Sequence, residues 1–353
     1  MTLQHLWKRT WYAVIMSVIL VASFPAGVAF ANGQAPKIAW ESNYEPGIKI
    51  FEVFETDEGY TMIGTKNKKA AYLVKSDADG NTQWEKVLNL RTSNNKEVII
   101  TAAYYTQDGG YLLGGTVPGY QSYYYVVRTD SHGDILWEKE EYVWNYVEFN
   151  DIRETSDGGV IYSYNKDESF GYIVKLNAAG DLQWMNSMEM SKFDPYVSIE
   201  SVSETSDGGY IAGAFRAATY LLWKLDASGQ SKWLNYHGDG IGWVVPTTDH
   251  GYAIANHNLR TNQSNLIITD WNGQERWSKD LGVNGTARSI SRTMDNGYLI
   301  GISNSLILCD EQGHILWKKP VSQLTKALPT KDGGAIYITS YENVVKLEGQ
   351  PAI

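Results

Sequence analysis

One cysteine, Cys309, stands in 353 residues, so no internal disulfide can staple this chain. It follows the apolar stretch Leu306-Ile307-Leu308, where a thiol acts as a small core side chain, and neither His nor Cys lies near enough in sequence to suggest a catalytic or metal role. The six histidines form no spaced ligand pair: His237, His250 and His257 fall in different turns or loops. No Gly-x-Ser-x-Gly elbow and no Gly-rich phosphate loop occurs, which removes two common signatures of hydrolases and nucleotide-binding folds. Positive charge is scarce as well, with 30 Lys and Arg against 40 Asp and Glu and a net charge of −10. Nucleic acid and anionic lipid need a basic stripe and none is evident, so neither is expected as a partner.

Long apolar runs are absent except at the start. Lys8 and Arg9 precede an apolar run from Trp11 to Phe24, followed by Pro25 and the small-residue site Ala29-Phe30-Ala31. This reads as a secretory signal peptide over 1–31, cut before Asn32, which places the mature chain 32–353 outside the cytoplasm, secreted or in the cell envelope. An uncleaved anchor is the alternative, and the run is shorter than the roughly 20 residues a spanning helix needs. No Cys follows it to carry a lipid. No membrane insertion is expected after cleavage, and loss of Lys8 and Arg9 without any acid takes the net charge from −10 to −12.

What the chain has in abundance is repetition. Seven Asp-x-Gly turns recur, at Asp57, Asp108, Asp157, Asp207, Asp249, Asp295 and Asp332. Six are answered downstream by a second turn and a tryptophan, at Trp84, Trp137, Trp184, Trp233, Trp277 and Trp317. In the unit from Val197, Ser198 to Thr205 reads as a strand and Ser206-Asp207-Gly208-Gly209 as a tight turn. Tyr210 to Phe215 and Tyr220 to Leu225 follow as strands, Asp226-Ala227-Ser228-Gly229 turns again, and Lys232 to Asn235 makes a fourth strand. Four short strands joined by hairpins form one propeller blade, so the chain is expected to be all-β, a seven-bladed β-propeller in a single domain. With 13 Trp and 24 Tyr, the chain has ample aromatic area for the interfaces between blades. The seventh unit ends without a Trp strand, whereas Lys37-Ile38-Ala39-Trp40-Glu41 reads as one, so the N-terminal strand is expected to close the last blade and leave no open edge.

The pattern Gly-Tyr-x-x-x-Gly followed by an apolar strand and Lys-x-Asp-x-x-Gly-x-x-x-Trp resembles the pyrroloquinoline-quinone-type propeller repeat of quinoprotein dehydrogenases and of extracytoplasmic scaffolds. It also resembles secreted bacterial repeat proteins of the same design, and the resemblance covers nearly the whole mature chain. The dehydrogenases of that family usually carry eight blades, a vicinal disulfide and a metal-binding carboxylate set. Seven units and one Cys depart from that pattern, so no cofactor is expected here.

Residues shared by every repeat are architectural, because a site used once does not need seven copies. Asp77-Ala78-Asp79-Gly80-Asn81 is similar to a calcium loop, but its counterparts at Asp130 and Asp226 lack the second acid, so a turn is expected and no metal. Both uniform turns of a blade emerge on one face of the disc, and the variable connections on the other. These connections are aromatic and polar and place Tyr123, Trp144, Tyr146 and Tyr196 on a candidate binding face. Counting back six residues from each first-turn Asp gives a channel ring of Phe51, Ala102, Asp151, Ser201, Trp243, Ser289 and Lys326, with Glu148, Glu200 and Arg288 toward the same mouth. Asp151, Glu200, Trp243 and Arg288 join the candidate binding set. The expected function is a monomeric binding or scaffolding module for a polysaccharide or protein. The alternative is a carbohydrate-active hydrolase or lyase whose channel carboxylates act as acid and base.

Overall fold

The computed structural model describes residues 33–349 apart from 118, 120, 168, 190–196 and 217. Its 28 strands form seven four-stranded antiparallel sheets, a seven-bladed β-propeller as the repeats predict. The segment 1–31 read as a signal peptide lies outside the described residues. Seven innermost strands surround the axis: β2 (Ile48–Thr56), β6 (Ile99–Tyr105), β10 (Val147–Glu154), β14 (Val197–Glu204), β18 (Ile241–Pro246), β22 (Ala287–Arg292) and β26 (Leu324–Pro329). Valine, isoleucine and tyrosine from facing sheets interdigitate between neighbouring blades, so the core is a ring of interfaces and not one central mass.

The seventh blade is closed as expected. Its β26 is followed by β27 (Ala335–Thr339) and β28 (Asn343–Leu347), and β1 (Ile38–Asn43) then pairs antiparallel with β28, Trp40 opposite Lys346 and Asn43 opposite Asn343. Trp40 is buried and donates from Nε1 to the carbonyl of Ala78 in the first blade at 3.0 Å, so the closing strand grips both ends of the ring. Two other tryptophans repeat that contact between neighbouring blades. Trp137 and Trp184 donate to the carbonyls of Ala178 and Ala227 at 3.1 and 3.2 Å. Their rings cover the turn glycine of the next blade, where a Cβ on Gly229 would meet Trp184 at 2.4 Å. Gly229 has φ +80, so the turn and the packing both call for glycine there.

A threonine precedes every first turn: Thr56, Thr106, Thr155, Thr205, Thr247, Thr293 and Thr330. Thr155 and Thr205 donate to the turn carboxylates of Asp157 and Asp207 at 2.6 and 2.5 Å, and Gly159 and Gly209 add their amides at 3.0 and 3.2 Å. Buried third-strand cations complete these clamps: Lys175 reaches Asp157 at 3.0 Å, Lys224 reaches Asp207 at 2.9 Å and Lys346 reaches Asp332 at 2.8 Å. Burial alone would raise the Asp157 carboxyl, but the Thr155 hydroxyl, the Lys175 ammonium and the Gly159 amide outweigh it and hold the group at about 2. Glu55, Glu154 and Glu204 reach back to the preceding blade, accepting from the amides of Lys331, Gln107 and Ser156 at 2.6, 2.7 and 2.6 Å.

The first unit departs from the others. Thr56 pairs directly with Gly59, one residue shorter than the Thr106 to Gly110 turn, so Glu58 takes the clamp position and pairs with Lys75. Asp57 is not the equivalent of Asp108 and instead meets Lys331 of the last blade at 2.7 Å.

Candidate functional site

That missing residue shifts the channel ring. Four positions before each threonine stand Glu52, Ala102, Asp151, Ser201, Trp243, Ser289 and Lys326, so the first blade contributes Glu52 and not Phe51. Six of the seven innermost strands carry a bulge just before the ring residue, which re-aims its side chain. β18 runs without one from Ile241 to Pro246.

On the turn side of this ring lies a cavity of ≈ 390 Å³. Two ion pairs line it: Lys326 Nζ lies 2.5 Å from Glu52 Oε1, and Arg153 Nε lies 3.1 Å from Asp151 Oδ2. Trp243 forms part of the wall, its ring centroid 5.7 Å from Lys326 Nζ. Burial raises the Glu52 carboxyl, and the Lys326 charge opposes that rise. Asp151 also accepts the amides of Ile152 and Val202, each at 3.0 Å, so its carboxylate ties two neighbouring blades together and orients Arg153.

Glu200 occupies the bulge of β14. Its carboxylate accepts from the Ser198 hydroxyl, which in turn accepts from Asn165 Nδ2 at 2.6 Å. Burial raises this carboxyl, the Ser198 bond opposes the rise, and the charge of Glu148 adds to it. The equivalent bulge residues Thr101 and Asn150 donate to carbonyls of the next blade, Phe149 at 2.8 Å and Ile199 at 2.7 Å. Arg288, at the same place in β22, is exposed.

The loop face presents a second group. Trp144, the last residue of β9 (Ile135–Trp144), is 64% exposed, and Tyr146 in the following connection is 55% exposed. Between them Asn145 has φ 82 and donates from Nδ2 to Asp167 at 3.0 Å, while the Asp167 amide donates to the Tyr146 carbonyl at 3.1 Å. The two rings therefore sit on a turn pinned at both sides. Tyr123 is not part of this surface. It lies in β8 (Gln121–Thr129), only 9% exposed, because the connection 91–97 folds over it: Asn94 Nδ2 donates to its hydroxyl at 2.9 Å and Lys96 Nζ lies 5.3 Å from the ring centroid. Tyr196 falls outside the described residues. The turn face is less uniform than the repeats imply, since Trp271 and Met294 are 63% and 81% exposed in its turns.

The site residues thus form separate groups. Asp151 and Trp243 share the channel cavity, Trp144 and Tyr146 share the loop edge of the second and third blades, and Glu200 is a half-buried bulge residue. The calcium-like loop is a side-chain-capped turn, in which Asp77 Oδ1 accepts the amides of Asp79 and Asn81 at 3.0 and 2.8 Å. Arg153 and Tyr104, both lining the cavity, were not among the expected site residues. The signal that finds them is the same threonine count, two positions before Thr155 and Thr106.

No protein-family model matches the chain, and no curated protein sequence does. Solved structures do. A catalytically inactive virginiamycin B lyase variant from Staphylococcus aureus, solved with quinupristin, superposes with a TM-score of 0.62 at 12% identity, covering 87% of this chain and 98% of that one. BBS1N in complex with ARL6DN gives 0.60 at 13% identity over 91% and 99% of the two chains. BamB from Moraxella catarrhalis gives 0.52 at 10% identity over 85% and 99%. At such identities these likenesses show the propeller fold alone.

Proposed function

We propose that this protein is an extracytoplasmic binding or scaffolding module that captures a polysaccharide or protein partner through its loop face. The observation that carries the reading is the pair Trp144 and Tyr146, exposed yet held on a turn pinned by Asn145 and Asp167. Aromatic side chains fixed in place lose little entropy on binding and anchor sugar rings or protein side chains well. The structural neighbours include a propeller in complex with a protein and another solved with a small molecule, so the fold accommodates both modes. The extracytoplasmic placement rests on Lys8, Arg9 and the apolar run before Ala29-Phe30-Ala31.

A glycan array run beside a panel of envelope proteins, with mass analysis of products, tests this reading. Trp144→Ala and Tyr146→Ala are expected each to weaken capture by about 1–2 kcal/mol or more. Charge changes at Asp130 or Asp226 on the turn face are expected to leave capture intact, and the reverse pattern would sink the assignment of faces. One observation favours a second reading, cleavage of a glycan: the raised carboxyl of Glu200 beside Glu148 suits an acid and base pair. Shortened glycan products lost in Glu200→Gln would support it, and intact glycans would remove it.

A further inference from the structure

Arg153 has a use that the loop-face reading leaves untouched. Its Nε is bound to Asp151, which fixes the guanidinium plane, but its two terminal nitrogens make no hydrogen bond among the described residues. The hydroxyl of Tyr104, on the neighbouring blade, makes none either, and both side chains line the ≈ 390 Å³ cavity. That size lies within the roughly 300–1,000 Å³ that small-molecule sites occupy. Arg292 lines the cavity too and donates to Asn296 Oδ1 at 2.7 Å, without a carboxylate partner among the described residues. The lining therefore sets three cations, Arg153, Arg292 and Lys326, against two carboxylates, Glu52 and Asp151. In a chain of net charge −10 this is a local reversal of sign. Most of the rest of the wall is apolar, with Phe54, Trp243, Val245 and Leu328, and Ser289 and Ser291 add to it.

We propose that the channel cavity binds a small organic carboxylate, with the terminal nitrogens of Arg153 as its ion partner, Tyr104 as a second donor, and the aromatic and aliphatic wall around its body. A guanidinium held through Nε presents two parallel N–H groups to a planar carboxylate, a match that a lysine does not offer. With Arg153 paired to Asp151 and Lys326 to Glu52, Arg292 leaves the lining one net positive charge, which suits one negative charge, so a monocarboxylate is favoured over a dianionic phosphate ester. Asp151 acts as the positioning residue: it touches no ligand but holds the fork that does.

Isothermal titration of the full chain with benzoate, phenylacetate, 3-phenylpropionate and indole-3-acetate, each beside its primary amide and beside phenyl phosphate, tests the site. At least one carboxylate is expected to bind saturably and about tenfold more tightly than its amide, as loss of a charge-assisted hydrogen bond implies. Arg153→Gln is expected to weaken that binding by about tenfold or more, and Tyr104→Phe several-fold without a change in melting temperature. Trp144→Ala is expected to change nothing here, which separates this site from the loop face. Equal affinity for acid and amide, tighter binding of phenyl phosphate, or no saturable binding by any carboxylate would overturn the proposal. Should Arg153→Gln fail to fold, Tyr104→Phe decides, and unchanged affinity in that variant overturns it as well.

Discussion

The two faces of the disc solve opposite problems. On the turn face, polar groups recur from blade to blade and are satisfied by neighbours: Thr155 and Lys175 close on Asp157, Thr205 and Lys224 close on Asp207, and Glu154 and Glu204 staple adjoining blades. On the loop face the connections share no sequence, and Trp144 and Tyr146 are each more than half exposed. Residues present in many copies are matched to one another, whereas residues present once keep capacity for something outside the chain. Arg153 follows the same rule inside the channel, since no other blade carries an arginine two positions before its threonine.

The comparison breaks most visibly if the ring itself is opened. Deleting Lys37 to Tyr44 removes β1 and bares the edge of β28, and the expected result is aggregation or loss of a cooperative melting transition. Removal of residues through Gly33 is expected to leave the melting curve nearly unchanged, and equal damage from both truncations would refute closure by β1. A sharper contrast pairs two glycines of similar backbone. Gly229 on the turn face has φ +80 and Trp184 at 2.4 Å from a built Cβ, while Gly238 on the loop face has φ +74 and nothing within 4 Å. Both alanine variants carry a backbone cost of about 1–2 kcal/mol, and Gly229→Ala adds about 1–3 kcal/mol of overpacking against the tryptophan. Urea denaturation of the two reads that difference directly, and equal midpoints would show that the Trp contact yields freely.

The smallest expected effect is on pH dependence. The folded Asp157 carboxyl sits at about 2, below the roughly 3.9 of an unfolded chain, so its clamp contributes fully above the unfolded value. That contribution fades as pH falls toward the folded value and is gone below both. Melting temperature should therefore decline between about pH 4 and pH 2, and Asp157→Asn should flatten part of the slope. Half of this carboxylate faces water, so the change is modest, and an unaltered slope in the variant would show that the clamp does not feel the proton.

Much of the fold is legible in the sequence. The Asp-x-Gly turns and spaced tryptophans announced seven blades, and Lys37-Ile38-Ala39-Trp40-Glu41 announced how the ring closes. Cys309 is buried as its apolar neighbours implied, its thiol pushed up to about 12 by burial. The ring slipped by one in the first blade because aspartate is only one way to fill the clamp; Glu58 fills it there, and the threonine is the better ruler. Tyr123 misled for another reason. Local sequence marks it as part of an aromatic connection, but its burial depends on residues 91–97 folding back from the blade before, a relation between distant segments that no window of sequence contains. The terminal nitrogens of Arg153 belong to the same class: Asp151 takes Nε, and that they meet no partner among the described residues is a matter of the surrounding blades and not of local sequence.

Closure by β1 also has a consequence in time. Glu41 and Asn343, bonded across the last sheet, stand 302 residues apart, so β1 finds its partner only after the strands that lie between them exist. Six blades can assemble from local hairpins as they appear, each lengthening an arc whose two ends remain unsatisfied. The final pairing is the most distant contact of all and carries the greatest loop-closure entropy, which makes it the natural slow step. Until it occurs, β28 lacks its partner strand and its edge can recruit one from another chain.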